Sequence, residues 1–147
     1  MKKPSKKINK KRHIASVAVI FDNNGRVLLV RRHEPRATHA HHKWSFPGGG
    51  IAFGEHPRDT VVREIKEEVG LEIKLLSDEP FIISHLFESE QIHAILFGYP
   101  SIYVAGKINI SGDRETGDAA WLNLSEIDYS LCLPQVKTMI EIAKTYI

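Results

Sequence analysis

The chain has 147 residues, the size of one domain, and its hydrophobic content of 42% and charged content of 26% are ordinary for a globular protein. A formal net charge of +2 does not by itself argue for nucleic acid as a partner. No apolar run approaches about 20 residues, which argues against a transmembrane helix, and we expect no signal peptide. The single cysteine, Cys132, cannot form an internal disulfide, so we expect a cytoplasmic location.

Lysine dominates the N-terminal residues 1–12. Blocks of like charge are usually solvated, so we expect a basic flexible tail at 1–12 followed by one domain at 13–147. The alternative is an arm that attracts RNA or another polyanion.

Two segments rich in Val, Ile and Leu, His13–Phe21 and Arg26–Arg32, flank the turn sequence Asp22–Gly25. This pattern predicts a β-hairpin. Arg31 and Arg32 lie at the end of its second strand. Either one of them reaches a substrate phosphate, or both are solvated charges at an edge.

The segment His33–Lys43 has no periodicity and contains Pro35 and the histidines His39, His41 and His42, so it is predicted to be a loop. The histidines could bind zinc, but no second pair of soft ligands follows at finger-like spacing. We therefore favour a polar loop near a substrate entrance.

A short strand is predicted at 44–46, leading into Pro47 and three glycines. Trp44 and Phe46 alternate with a polar residue, so both can face the same side of a strand. They either pack in the core or stack on a nucleobase, and core packing is the expectation for at least one of them.

The segment 48–71 predicts a glycine-rich turn and a helix. Pro57 suits the first helical position and Gly70 the position just past the helix end. Four aliphatic residues recur at helical spacing and predict one apolar stripe. They are Val61, Val62, Ile65 and Val69.

Glu64, Glu67 and Glu68 follow i, i+3, i+4 spacing, which gathers their carboxylates on another face of the same helix. Arg63 can pair with Glu67, but one arginine does not neutralise three acids. A divalent cation would, and carboxylate oxygens favour Mg²⁺ or Mn²⁺ over zinc.

The remainder is dominated by predicted strands, followed by a last helix beginning near Pro134. The strands are Glu72–Leu76, Phe81–Phe87, Gln91–Tyr99, Ser101–Ile110 and Ala119–Leu124, with a break at Pro100. The helix carries an apolar stripe of Val136, Met139, Ile140, Ala143 and Ile147. These elements indicate an α+β fold in which helices sandwich a mixed sheet.

Gly49, five residues, Glu55, seven residues and then Arg63–Leu71 fill every fixed position of the pattern Gly-x5-Glu-x7-Arg-Glu-U-x-Glu-Glu-x-Gly-U, with U aliphatic. The segment resembles the complete box of the Nudix hydrolase family. That resemblance implies a Nudix α/β/α sandwich and metal-dependent hydrolysis of a pyrophosphate bond.

The resemblance also implies the site. The carbonyl of Gly49 and the side chains of Glu64, Glu67 and Glu68 would hold the metals, and Glu55 would belong to the same shell. Arg63 would orient the glutamates. A further acid would come from the loop Ser111–Asp118, where we favour Glu115 over Asp113 and Asp118.

The general base is expected to be Glu64, with Glu67 or Glu115 as alternatives. The motifs that mark several Nudix branches are absent, which leaves a nucleoside triphosphate, oxidised or not, as the expected small-molecule substrate. The alternatives are the 5′ end of RNA, an ADP-ribose or sugar-nucleotide substrate, and a non-catalytic binding module. The protein is expected to be a monomer or a homodimer.

Overall fold

A computed structural model describes residues 9–111 and 115–147. The strands are β1 Lys11–Phe21, β2 Val27–Arg32, β3 Trp44–Ser45, β4 Gly48–Gly50, β5 Glu72–Leu75, β6 Phe81–Phe87, β7 Ile92–Ala105 and β8 Thr116–Leu122. The helices are α1 Pro57–Val69 and α2 Val136–Lys144, with short 3₁₀ turns at Leu124–Glu126 and Tyr129–Leu131. Within these described ranges, no helix has the length and apolarity needed to cross a membrane.

The strands form one mixed sheet. Its centre is the parallel pair β1 and β7, which run side by side from Lys11 opposite Ile92 to Phe21 opposite Ile102. β2 pairs antiparallel with β1 in the predicted hairpin and also pairs with β3 and β8. On the other side, β7 pairs antiparallel with β6 along its first half and with β5 along its second.

Alternation along the central strands explains why both faces of the sheet are covered. Val17, Val19 and Phe21 of β1 pack in a core with α2, whereas Ala18 and Ile20 pack in a second core with α1. Successive side chains of a strand point to opposite faces, so a continuous apolar run suits a strand buried on both sides. The expected α+β sandwich of helices on a mixed sheet is confirmed.

The helix α1 begins and ends as expected. Pro57 lies in its first turn, the side chain of His56 accepts a hydrogen bond from the Arg58 N–H at 3.0 Å, and Gly70 ends the helix with φ of 75°. Val61, Ile65 and Val69 are buried. The prediction that Val62 shares this stripe is wrong, because Val62 is 46% exposed. Thr60 and Glu68 are buried beside the apolar residues instead.

The predicted break at Pro100 is also wrong, since β7 runs continuously through it. The Pro100 carbonyl accepts from Leu76 N–H at 2.8 Å, on the side where β7 changes partner from β6 to β5. The N–H and C=O of one strand residue point to the same side, so the N–H that Pro100 lacks would have pointed away from β1, towards the place where β7 changes partner. The hydrogen bonds between β1 and β7 are therefore unaffected.

Three smaller expectations need correction. β1 begins at Lys11, so Lys11 and Arg12 belong to a strand and not to a tail; residues 1–8 lie outside the described residues. β8 begins at Thr116, three residues before the predicted start. Ile147 follows the end of α2 and is 63% exposed, so it does not continue the stripe of that helix.

We predict that Met139→Ala lowers the free energy of unfolding by about 2–5 kcal/mol, because Met139 is fully buried between α2 and the sheet. Ile147→Ala is the matched control and should change it by less than about 0.5 kcal/mol. Urea unfolding followed by circular dichroism measures both. Equal losses in the two variants would contradict the assignment of the α2 face.

Candidate active site

A cavity of about 560 Å³ opens between the glycine turn, α1 and the loop 33–43. One part of its wall carries charged groups and glycines: Arg32, Glu34, Gly48, Gly49, Gly50, Glu64, Glu68 and Glu115. Another part is mostly apolar, with two histidines and a glutamine: His13, Ile14, Ala37, His39, Ala40, Phe46, Phe87, Leu96, Leu133 and Gln135. The cavity thus joins an acidic end to an apolar end.

Glu68 is the most buried acid of this site, with only 3% of its side chain exposed. Its carboxylate accepts hydrogen bonds from the Gly48 N–H at 2.8 Å and the Thr116 hydroxyl at 2.9 Å. The guanidinium of Arg32 lies 3.8 Å away. These contacts hold a charged group that burial alone would disfavour.

Glu64 lies directly against the glycine turn. A side chain at position 49 would overlap its carboxylate, so Gly49 is required for this close approach. Gly48 is constrained as well, because it has φ of 155° and a Cβ there would overlap the carbonyl of Ser16 on β1. The packing of α1 against the glycine turn therefore brings the Gly49 backbone and the Glu64 carboxylate together.

Arg63 connects three other residues of the box. It donates two hydrogen bonds to Glu55, both 2.8 Å, and others to Glu64 at 3.1 Å and Glu67 at 3.0 Å. One guanidinium thus restrains three carboxylates. Glu55 is engaged by Arg63 and by the Thr60 hydroxyl at 2.7 Å, and it does not line the cavity. Glu55 therefore orients Arg63.

Glu67 differs from the other two glutamates of the helix. Its side chain is 58% exposed, bonds to Arg63, and is not among the residues that line the cavity. Glu64 and Glu68 both line it. The three carboxylates of the expected acidic face therefore do not all point the same way: Glu64 and Glu68 face the cavity and Glu67 faces solvent.

Among the three loop acids considered above, Glu115 lines the cavity. Its carbonyl accepts a hydrogen bond from His33 N–H at 2.6 Å, which ties the segment to the end of β2. Asp118 is an exposed strand residue opposite Arg31, with a hydrogen bond to its neighbour Ala119 N–H. Asp113 lies outside the described residues.

The two candidate arginines differ in their position relative to the cavity. Arg32 lines the cavity and bonds to Glu34 at 3.1 Å, while Arg31 does not line it. The buried Nε of Arg31 has no hydrogen-bond partner among the described residues.

The two candidate aromatic residues lie in different places. Phe46 lines the cavity, whereas Trp44 is partly buried against the core beneath α2.

Sequence reasoning did not single out Gln135, which precedes α2 and lines the cavity 67 positions after Glu68. Its buried Oε1 has no hydrogen-bond partner among the described residues, and neither has the buried Nδ1 of His39. Burial lowers the pKa of His39, so its imidazole is neutral near pH 7. No local pattern could have placed these two polar atoms on one cavity wall.

The carboxylates of Glu64, Glu68 and Glu115 and the backbone of Gly49 provide hard oxygen donors around one end of the cavity. Such a donor set fits a divalent cation of the Mg²⁺ or Mn²⁺ type. The fold and these donors agree with the comparison to known proteins: residues 11–145 match the NUDIX domain.

The chain belongs to the Nudix family. Nudix hydrolases generally use divalent metal ions, in agreement with the oxygen donors of this site. The helix, the glycine turn and the mixed sheet described above are accordingly the parts of a Nudix domain that fills nearly the whole described chain.

Two curated relatives bear on function. The chain is 43% identical over 53 residues to an RNA pyrophosphohydrolase of Acinetobacter baylyi, covering 36% of this chain and 28% of that protein. It is 38% identical over 64 residues to an 8-oxo-dGTP diphosphatase of Proteus vulgaris, covering 44% of this chain and 54% of that protein. The matches thus span about half or less of the relatives' length.

Two solved structures match nearly the whole Nudix domain. A MutT Nudix hydrolase from Burkholderia pseudomallei superposes with a TM-score of 0.72 at 21% identity, covering 90% of this chain and 98% of that one. A Nudix hydrolase from Nitrosomonas europaea gives 0.76 at 25% identity, covering 92% and 90%. The fold expected from the box is confirmed.

We predict an acid-dependent loss of stability from Glu55. Its hydrogen bonds from Arg63, then that from Thr60, lower the pKa of Glu55 from 4.5 to about 2. Because the pKa of Glu55 is lower in the folded than in the unfolded state, the ionised Glu55 carboxylate stabilises the fold above pH 4.5. This contribution to the free energy of unfolding disappears as the pH falls from 4.5 towards 2. Glu55→Gln should therefore be less stable than wild type at pH 7, with the difference shrinking at pH 3.

Urea unfolding at the two pH values, without added divalent cations, measures this difference. The exposed Glu72→Gln serves as the control and should track wild type. A gap between Glu55→Gln and wild type that stays constant with pH would contradict the role given to the Arg63 pair.

Proposed function

We propose that this Nudix protein hydrolyses a pyrophosphate bond of a nucleoside triphosphate, oxidised or not, to a nucleoside monophosphate and pyrophosphate. The observation that carries the proposal is one cavity with the carboxylates of Glu34, Glu64, Glu68 and Glu115 at one end and an apolar wall at the other. On that wall two buried polar atoms have no hydrogen-bond partner among the described residues. The first end suits phosphates with their cations, and the second suits a nucleobase.

Mg²⁺ or Mn²⁺ is the proposed cofactor, and Gly49, Glu64, Glu68 and Glu115 are its proposed ligands. A bound cation of this kind neutralises phosphate charge and acidifies water. Glu67 stays a possible ligand from the box resemblance, although its side chain is turned towards Arg63 and solvent. The buried carboxylate of Glu68 supports its role because its hydrogen bonds fix it before any ligand arrives.

Glu64 is the proposed general base. Its carboxylate lines the cavity, and the Arg63 guanidinium holds it from one side. A base must reach the attacking water, and the bond to Arg63 restricts where the carboxylate can point. Glu115 also lines the cavity and is the second choice. Glu67 is a weaker candidate because it does not line it.

Arg32 is the proposed phosphate-side arginine, since it lines the cavity and Arg31 does not. Its contacts with Glu34 and Glu68 hold it beside the acidic end. Arg32 therefore has two roles in the proposal: it stabilises the Glu68 carboxylate and presents positive charge to the substrate.

The apolar end supports a nucleobase as the second half of the substrate. Phe46 and Phe87 supply aromatic surface, and the neutral ring of His39 packs 4.5 Å from Phe87, centroid to centroid. The Oε1 of Gln135 is an acceptor for an N–H of a base. An unpartnered buried acceptor costs free energy that a matching donor recovers.

The 5′ end of RNA is the second candidate substrate. The name of the Acinetobacter baylyi relative favours it, and so do the exposed Lys11 and Arg12, which precede the cavity residue His13 on β1. An ADP-ribose or sugar-nucleotide substrate stays a third candidate. The buried free thiol of Cys132 supports a reducing compartment such as the cytoplasm.

A substrate panel tests the proposal. Nucleoside triphosphates, 8-oxo-dGTP, sugar nucleotides, ADP-ribose and triphosphorylated RNA are compared with Mg²⁺ and with Mn²⁺, and phosphate and pyrophosphate are separately quantified. Pyrophosphate release from free triphosphates supports the first candidate. Release from RNA alone favours the second, and no release from any compound rejects the enzyme.

We predict that Glu64→Gln lowers kcat by about 10²–10⁴ with little loss of stability, since the amide keeps the shape but cannot take a proton. Glu67→Gln should lose less activity, and the exposed Glu79→Gln should behave as wild type. Steady-state kinetics with matched thermal melts measures this series. Full activity in Glu64→Gln would exclude it as the base.

Glu68→Gln is a less clean test because the residue is buried. It should abolish turnover and also cost about 1–3 kcal/mol of stability, since one amide oxygen replaces two carboxylate oxygens that accept from Gly48 and Thr116.

We predict that Gln135→Leu raises KM for the best nucleotide about tenfold while kcat changes less. The substitution removes the hydrogen-bond acceptor for the nucleobase but leaves the groups that contact the phosphates unchanged. Gln135→Glu keeps an acceptor and should retain a lower KM than Gln135→Leu. An unchanged KM in Gln135→Leu would contradict base recognition by Gln135.

A further inference from the structure

Three histidines meet at the base of the loop 33–43, outside the cavity wall. His33, His41 and His42 place one ring nitrogen each within 4.8 Å of the other two. The rings of His41 and His42 are 3.7 Å apart, centroid to centroid, and the ring of His33 is 5.5 Å from that of His41. His39, by contrast, points to the cavity.

The backbone of each of the three histidines is hydrogen-bonded, and the His41 N–H donates to the Ala37 carbonyl at 2.9 Å. His42 N–H donates to the Arg32 carbonyl at 2.9 Å, and His33 N–H donates to the Glu115 carbonyl at 2.6 Å. His42 also has a positive φ of 64°, a left-handed conformation that residues with a side chain rarely adopt. The loop therefore returns to its start with the imidazoles already adjacent.

We propose that His33, His41 and His42 form a cation site for a borderline transition metal of the Zn²⁺ class, separate from the carboxylate site. Neutral imidazole is a preferred ligand of such metals, whereas the oxygen donors beside Gly49 suit harder cations. Three protein ligands leave a fourth position for water. The expected stoichiometry is one such ion per chain in addition to the ions at the carboxylates.

The distances are compatible with closure around an ion. Zn–N bonds of about 2.0–2.1 Å put two nitrogens of a tetrahedral site roughly 3.4 Å apart. Since all three nitrogens lie within 4.8 Å of one another, each pair must approach by no more than about 1.4 Å. His33 and His42 are exposed and His41 is only partly covered, so their rings can turn without disturbing the core.

Metal uptake has a defined consequence for His41. Its Nδ1 accepts a hydrogen bond from Glu34 N–H at 3.1 Å. Ligation through Nδ1 replaces this bond, and ligation through Nε2 requires a proton on Nδ1 and breaks it as well. The released amide belongs to Glu34, whose carboxylate accepts from Arg32 at 3.1 Å. The bound ion would thus replace a hydrogen bond as the link between the two ends of the loop whose inner residues Ala37, His39 and Ala40 line the cavity.

Calorimetric titration of tag-free, full-length protein with Zn²⁺, in excess Mg²⁺ to occupy the carboxylates, tests the site. Wild type should bind one equivalent. His33→Asn, His41→Asn and His42→Asn should each weaken binding at least about tenfold. The matched control is His85→Asn, which removes a histidine outside the trio and should bind as wild type.

Two spectroscopic readouts separate this site from others. Co²⁺ should give the visible absorption of a nitrogen-ligated ion in wild type, and the trio variants should lose it. The Glu34 amide resonance should shift on Zn²⁺ addition. No uptake, uptake unchanged in the three variants, or uptake abolished by Glu64→Gln but not by the trio variants would each overturn the proposal.

Discussion

The burial of the Glu68 carboxylate is the constraint on which the rest of the site depends. Removing a carboxylate from water costs several kcal/mol, and only well-placed donors and charges offset that cost. Here the donors come from β4 and β8, and Arg32 adds a nearby charge from β2. One side chain of α1 therefore fixes the positions of three strands, and the same group faces the acidic end of the cavity.

Arg63 addresses a second electrostatic problem, the mutual repulsion of acids on one helix. Its guanidinium bonds to Glu55, Glu64 and Glu67 at once. The paired bonds to Glu55 fix its plane, and the remaining nitrogen then restrains Glu64 beside Gly49. A helix rich in like charge is thereby held in one arrangement, with Glu64 directed to the cavity and Glu67 to solvent.

The features predicted well from the sequence are the local ones. The caps at Pro57 and Gly70, the β1–β2 hairpin and the bounds of β6 follow from residues close in the chain. The continuity of β7 through Pro100 was not predicted, because it depends on which strands lie beside β7 at that residue. The general rule that proline interrupts a central strand uses no information about those neighbouring strands. The exposure of Val62 and the burial of Glu68 likewise depend on how α1 sits on the sheet.

The same division explains where specificity must arise. The acidic end of the cavity takes Gly49, Glu64 and Glu68 from the box and adds Arg32 and Glu115 from outside it, whereas the apolar end is assembled from β1, the loop 33–43, β6 and the start of α2. A cavity of about 560 Å³ has the size of a small-molecule site. An RNA chain would have to leave it across the surface, where Lys11 and Arg12 are exposed beside His13. Discrimination between the two proposed substrates would therefore depend on residues outside the box, because both would present the same phosphates to its glutamates.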